Sequence, residues 1–127
     1  NLGIIHYKNG QMEQAEEEFR SAIAANKDYA LAYNSLGLLL FAEGNYKEAA
    51  EHFGKVIELQ PGNAQAHFDL GVSIANNVRY GNGNVQELDT ALQHFMEAER
   101  LQPNYPYAQP NIEVLEKIIK EYNELNS

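Results

Sequence analysis

Four histidines and eighteen carboxylates are the side chains of this chain that could move protons or hold a metal. Their spacing argues against both uses. Zinc and di-iron sites gather His and carboxylate ligands at short helical intervals, and no such cluster occurs here. His6 and His67 fall at core-type helix positions, while His52 and His94 recur just before Phe53 and Phe95, so internal repetition accounts for them. The run Glu16-Glu17-Glu18 has no partner placed to raise a carboxylate pKa and reads as a solvated face rather than an acid-base pair. The glycines of Tyr80-Gly81-Asn82-Gly83-Asn84 follow no predicted strand and lack the lysine of a phosphate-binding loop. Without cysteine there is no thiol nucleophile, disulfide framework, thiolate metal site or covalent haem attachment. No catalytic residue, metal or cofactor is expected.

Charge narrows the partners. Residues 1–63 carry five Lys and Arg against nine Asp and Glu, and residues 64–127 carry four against nine, so the net charge of -9 is spread evenly. A nucleic-acid surface needs clustered cations to release counterions, and an anionic membrane surface needs the same; no basic run is present. No apolar stretch approaches the roughly 18 residues of a membrane span. The absence of cysteine fits cytoplasm and periplasm alike, and the compartment is left open.

The elements that would position any site repeat at a fixed offset. Leu2-Gly3, Gly10, Ala15, Phe19 and Ala22 return 34 residues later as Leu36-Gly37, Gly44, Ala49, Phe53 and Val56. Each set reads as two antiparallel helices. In the second, Tyr33, Leu36, Gly37 and Leu40 share one face, Gly44 makes the turn, and Tyr46, Ala49, Phe53 and Val56 face back, ending at Pro61. Gly37 and Ala49 are small so that the helices can approach, and Asn45 with Glu48 reads as a capping box. In the first set Gly10 is expected to close the turn, with the helix before it starting upstream of Asn1. A third set follows Asn63, a candidate N-cap, with His67, Leu70, Gly71 and Ile74, then Ala91, Phe95, Ala98 and Pro103. Gly37 to Ala49 spans 12 residues and Gly71 to Ala91 spans 20, which places an eight-residue insertion within 76–84. Either Asn84 and Glu87 cap a helix that begins early, or Leu88 takes the place of Tyr46 and the whole excess is loop. From Pro106 a last helix is expected, with Ile112, Leu115, Ile118, Ile119, Tyr122 and Leu125 on one stripe and charges opposite, a solvating cap.

This pattern resembles the tetratricopeptide repeat family. The resemblance implies an all-α, right-handed superhelical solenoid of about three helix pairs plus a C-terminal capping helix. It divides the chain into a partial first repeat (1–29), a second (30–63), a third with a loop insertion near 76–84 (64–105) and the cap (106–127). It also implies that first helices line a concave groove for a peptide or helix of a partner protein. By register the groove residues are Ile4, Tyr7 and Lys8, then Leu31, Asn34, Ser35, Leu38 and Phe41, then Gln65, Phe68, Asp69, Val72, Ala75 and Asn76. Leu31, Leu38, Phe41, Phe68 and Val72 are not required by the core within each pair, so they form an apolar binding patch unless the superhelix, an upstream helix or a second copy covers them. Arg79 and Tyr80, on the insertion, are a candidate second contact.

One branch of the family grips acidic chaperone tails with Lys, Arg and Asn on its first helices. Here Ile4, Ser35, Gln65 and Asp69 stand at those positions, and Asp69 would repel a carboxylate. The expected function is a non-catalytic protein-interaction scaffold. The alternative is a docking or oligomerisation domain of a larger enzyme or multihaem electron-transfer protein, and self-association is a third way to use the apolar surface.

Overall fold

The structure is a computed structural model; it describes residues 2–81 and 83–126, with side chains from Glu13 onward. Six helices follow one another: α1 (Leu2–Ala25), α2 (Ala30–Ala42), α3 (Tyr46–Leu59), α4 (Ala64–Arg79), α5 (Glu87–Leu101) and α6 (Ala108–Leu125). No strand occurs among the described residues, and none of their helices is long and apolar enough to cross a membrane. The principal contacts join consecutive helices, as expected of a stacked array.

Two pairs close around the same device. A Cβ built on Gly37 would stand 2.8 Å from the Phe53 ring, and one on Gly71 would stand 3.0 Å from the Phe95 ring and 3.1 Å from the Ala91 carbonyl. Glycine on one helix is therefore the socket for the phenylalanine of the next. Phe53 and Phe95 are almost wholly buried, as are Ala49 and Ala91 one turn earlier. Around Phe53, Leu36, Leu40 and Leu70 join α2, α3 and α4, with Phe19 and Ile23 of α1 packed against them. Around Phe95, Leu88, Ile112 and Leu115 join α5 to α6, and Phe68, Val72 and Ile74 reach in from α4. The core is thus a chain of seams rather than one centre.

Several local expectations need correction. Gly10 makes no turn, because Leu2–Ala25 is a single helix. At the matching turn of the next pair Gly44 takes φ +84 and Asn45 follows it, whereas Gln11 follows Gly10. Glutamine is not a preferred N-cap, and a glycine inside a helix costs only about 1 kcal/mol, so continuing the hydrogen-bond ladder wins.

The capping box of α3 is also absent, since Asn45 makes no side-chain bond to the backbone of α3. Glu48 is drawn to Arg20 of α1, at 3.2 Å, and accepts a 3.4 Å bond from the Asn45 amide. A charge-assisted contact is the stronger of its options. Asn63, by contrast, caps α4 by accepting from the Ala66 N–H at 3.0 Å.

The insertion is only partly loop, because 77–79 extend α4 by most of a turn beyond the register of α2. Beyond Gly81 (φ +92), successive i→i+3 bonds from Glu87, Leu88 and Asp89 lead into α5, and Asn84 Oδ1 accepts from the Glu87 N–H at 3.2 Å. Leu88 does occupy the place of Tyr46, buried on the inner face.

The last helix is a mixed cap. Ile112 and Leu115 are buried, but Val114, Ile118 and Leu125 are exposed, so its outer surface is not uniformly polar.

Candidate functional site

The groove residues with described side chains lie on α2 and α4. Alpha-2 is apolar on nearly every side, so after Leu36, Gly37 and Leu40 are committed to the core it still has Leu31 and Leu38 to expose, at 62% and 44%. Leu38 and Phe41 of α2 face Phe68, Asp69 and Val72 of α4 across a depression of about 220 Å³ floored by Phe53. This brings five of the expected residues together. Gln65, Phe68 and Asp69 also line a second depression, about 480 Å³, walled by Gln102, Tyr105, Pro106 and Tyr107. Phe68 and Asp69 are the partition between the two.

Phe68 and Val72 serve the core more than expected. The Phe68 ring meets Phe95 edge-on at 5.4 Å and Tyr105 at 5.2 Å, and Val72 packs on the same seam. Phe41 is likewise half-buried, edge-on to Tyr46 at 5.1 Å. Asn34, Ser35, Ala75 and Asn76 are half-buried, and Gln65 is exposed. Leu31 lines neither depression. The side chains of Ile4, Tyr7 and Lys8, and of His6, lie outside the described residues.

Asp69 is the charged group of the site. Most of its side chain is buried, and that burial pushes its pKa up to about 6. Its Oδ2 is enclosed and has no hydrogen-bond partner, while its backbone carbonyl accepts from the buried Ser73 hydroxyl at 2.9 Å. Tyr105, nearby, has its phenol pKa raised by burial and then by the Asp69 charge.

Tyr105 and Tyr107 were not legible as site residues, although two tyrosines flanking Pro106 just before a helix were a visible signal. Tyr107 stands at the start of α6 with φ 66, a left-handed conformation that strains a bulky residue. Asn111 holds it there by donating its side-chain amide to the Tyr107 carbonyl at 2.7 Å.

Arg79 and Tyr80 sit elsewhere. Arg79 ends α4, and Tyr80 follows it and lies flat on Tyr46 at 5.6 Å, with the guanidinium 5.8 Å from the Tyr80 ring centre. Both are exposed on the outer rim beside the α3 turn, and neither lines the groove depressions.

His67 and His94 meet on the inner side of the α4–α5 pair. His67 Nε2–H donates to the Pro61 carbonyl at 3.1 Å, so Nδ1 of neutral His67 accepts, and His94 Nδ1–H donates to it at 3.0 Å. Burial, then the neighbouring His67, lower the His94 pKa, with Glu97 opposing. Among the described residues no group of three or more His, Asp and Glu is placed to hold a metal ion.

The tetratricopeptide repeat model matches residues 1–64 and 36–106. No curated protein sequence matches the chain. Among solved structures, the first such domain of Spaghetti (RPAP3), bound to the HSP90 peptide SRMEEVD, superposes with a TM-score of 0.74 at 14% identity, covering 93% of this chain and 87% of that one. MamA AMB-1 superposes with a TM-score of 0.75 at 27% identity over 97% of this chain and 63% of its own. The Thermobaculum terrenum O-GlcNAc transferase (K341M mutant) gives 0.64 at 27% identity, over 84% of this chain and 19% of that enzyme.

Proposed function

The chain belongs to the tetratricopeptide repeat family, and from that premise we propose that it is a non-catalytic scaffold that holds a peptide or helix of a partner protein in the concave groove between α2 and α4. The observation that carries this reading is the depression where Leu38, Phe41, Phe68 and Val72 stay partly open to solvent over the buried Phe53 ring. Apolar surface retained beside a satisfied core is what a binding groove requires. The Spaghetti domain, similar in fold, is bound to a peptide, which supports the reading.

The ligand differs from that peptide. The HSP90 peptide ends in acidic residues, whereas here Ser35, Gln65 and Asp69 line the equivalent first-helix positions on a chain of net charge -9. These residues and that charge support a reading in which an acidic tail is not the ligand.

The test uses a peptide selected against the wild-type protein from a random library. Leu38→Asp places a charge at an already exposed site, so helicity by circular dichroism stays near wild type. Affinity by fluorescence polarisation falls at least about tenfold, the equivalent of 1.4 kcal/mol. Unchanged affinity overturns the groove.

A second reading is favoured by the transferase comparison, in which a stretch similar to this chain forms 19% of a larger enzyme. On that reading the groove docks a domain or a substrate of the same machine. Native mass spectrometry of the protein taken gently from its source separates the two by its covalent mass.

A further inference from the structure

Asp69 is costly where it stands. Its Oδ2 is enclosed by protein and accepts no hydrogen bond, and a carboxylate taken out of water without a partner is unfavourable. Among the described residues that line the two depressions meeting at Asp69, none is Lys or Arg, so the protein itself supplies no counter-charge there. In the preceding pair the residue at the same register is Ser35, so the fold does not demand a carboxylate at this position.

The surroundings suit a cation that brings apolar surface with it. The Phe68 and Tyr105 rings stand 5.2 Å apart at 41°, beside the carboxylate, and Tyr107 is held in its strained conformation at the rim. Aromatic faces attract Lys and Arg heads, and the aliphatic stems of those residues cover apolar walls. On the other side of Asp69 the depression between Leu38 and Val72 offers a seat that is apolar apart from Asp69 itself. The chain's overall negative charge draws basic segments toward it.

We propose, resting on the groove reading above, that the partner segment presents a Lys or Arg beside an apolar residue, with the cation at the Asp69 carboxylate against the outer surface of the Phe68–Tyr105 ring pair and the apolar side chain against Leu38 and Val72. Asp69 is then the residue that sets specificity, and a cation bound in the depression offsets the carboxylate charge for which the enclosed Oδ2 has no donor in the protein. The carboxyl, whose pKa stands near 6 in the free protein, becomes a stronger acid when occupied.

Random twelve-residue peptides are selected on the wild-type protein at pH 7.5, and individual peptides are then measured on wild type, Leu38→Asp and Asp69→Asn. Peptides lost on Leu38→Asp are expected to carry Lys or Arg next to an apolar residue and to bind Asp69→Asn at least about tenfold more weakly. Replacing that basic residue by norleucine is expected to cost wild type the same factor and to cost Asp69→Asn almost nothing, the signature of a direct pair. The Asp69 side-chain carbon resonance is expected to titrate at lower pH in the complex. Groove-dependent peptides that lack a basic residue, or that bind Asp69→Asn as tightly as wild type, overturn the cation while leaving the groove in place. If no selected peptide is lost on Leu38→Asp, the groove reading fails and the cation proposal with it.

Discussion

The α2–α3 and α4–α5 pairs share a socket and differ in everything polar around it. Gly37 receives Phe53 as Gly71 receives Phe95, yet Tyr33 meets His52 at a tilted 6.1 Å where His67 and His94 share a hydrogen bond of 3.0 Å. His52 instead donates its Nδ1–H to the Glu48 carbonyl one turn back. Ser35 on the first pair stands at the register position that Asp69 takes on the second. Apolar positions repeat because both pairs must solve the same packing problem, and polar positions diverge because nothing in that problem fixes them. Divergence at constant scaffold is therefore where a distinct ligand preference is written.

The largest test of the shared socket is removal of its ring. Phe53→Ala and Phe95→Ala are each expected to lose about 3–5 kcal/mol in urea unfolding. Phe95 also contacts Phe68 edge-on, so its loss should be greater by about 1 kcal/mol. Equal losses would break the asymmetry, and Phe→Leu versions preserve the ranking if the alanine variants unfold.

Converting the second pair toward the first at Asp69 should have a smaller effect of opposite sign. The folded protein holds the Asp69 proton up to about pH 6, above the unfolded value of 3.8. Stability is therefore lost as pH rises through that interval. Asp69→Asn removes the cost, and after discounting for its partial exposure the variant should be about 1 kcal/mol more stable at pH 7.5, with the gain gone by pH 4. Urea midpoints at both pH values check it.

The smallest effect expected is at the histidines. Burial beside His67 lowers the His94 pKa, so the folded state resists its proton and stability falls as pH drops below the ordinary histidine range. His94→Gln should flatten that part of the pH profile while Glu97 and His67 remain. A profile unchanged by the variant would remove the distinction between the two pairs.

The repeat was readable because its apolar side chains recur at an offset of 34, or of 42 past the eight-residue insertion, which places Leu36, Phe53, Leu70 and Phe95 in the core from the sequence alone. Turn chemistry was less so. Gly10 has the glycine of a turn but Gln11 where a cap is needed, and a single missing side-chain acceptor lets the helix run through. Glu48 was lost as a capping partner to Arg20, 28 residues away, a competition visible only in three dimensions. The same holds for the site. Leu38, Phe68 and Asp69 were expected on one surface, but that Phe68 would be shared with Phe95, and that Tyr105 and Tyr107 would wall the far side, depended on how the α5–α6 connection folds back.

The stack of Tyr80 on Tyr46 bears on mechanics. A solenoid bends by rocking neighbouring units about the seam between them, and one line of core contacts behaves as a hinge. The extension of α4 carries Tyr80 past that seam to grip the start of α3 from the rim. A hinge fastened at a second point off its axis resists both twist and opening. Through Tyr80 the insertion is thus expected to brace the α3–α4 junction, making the array stiffer there than one line of core contacts alone would.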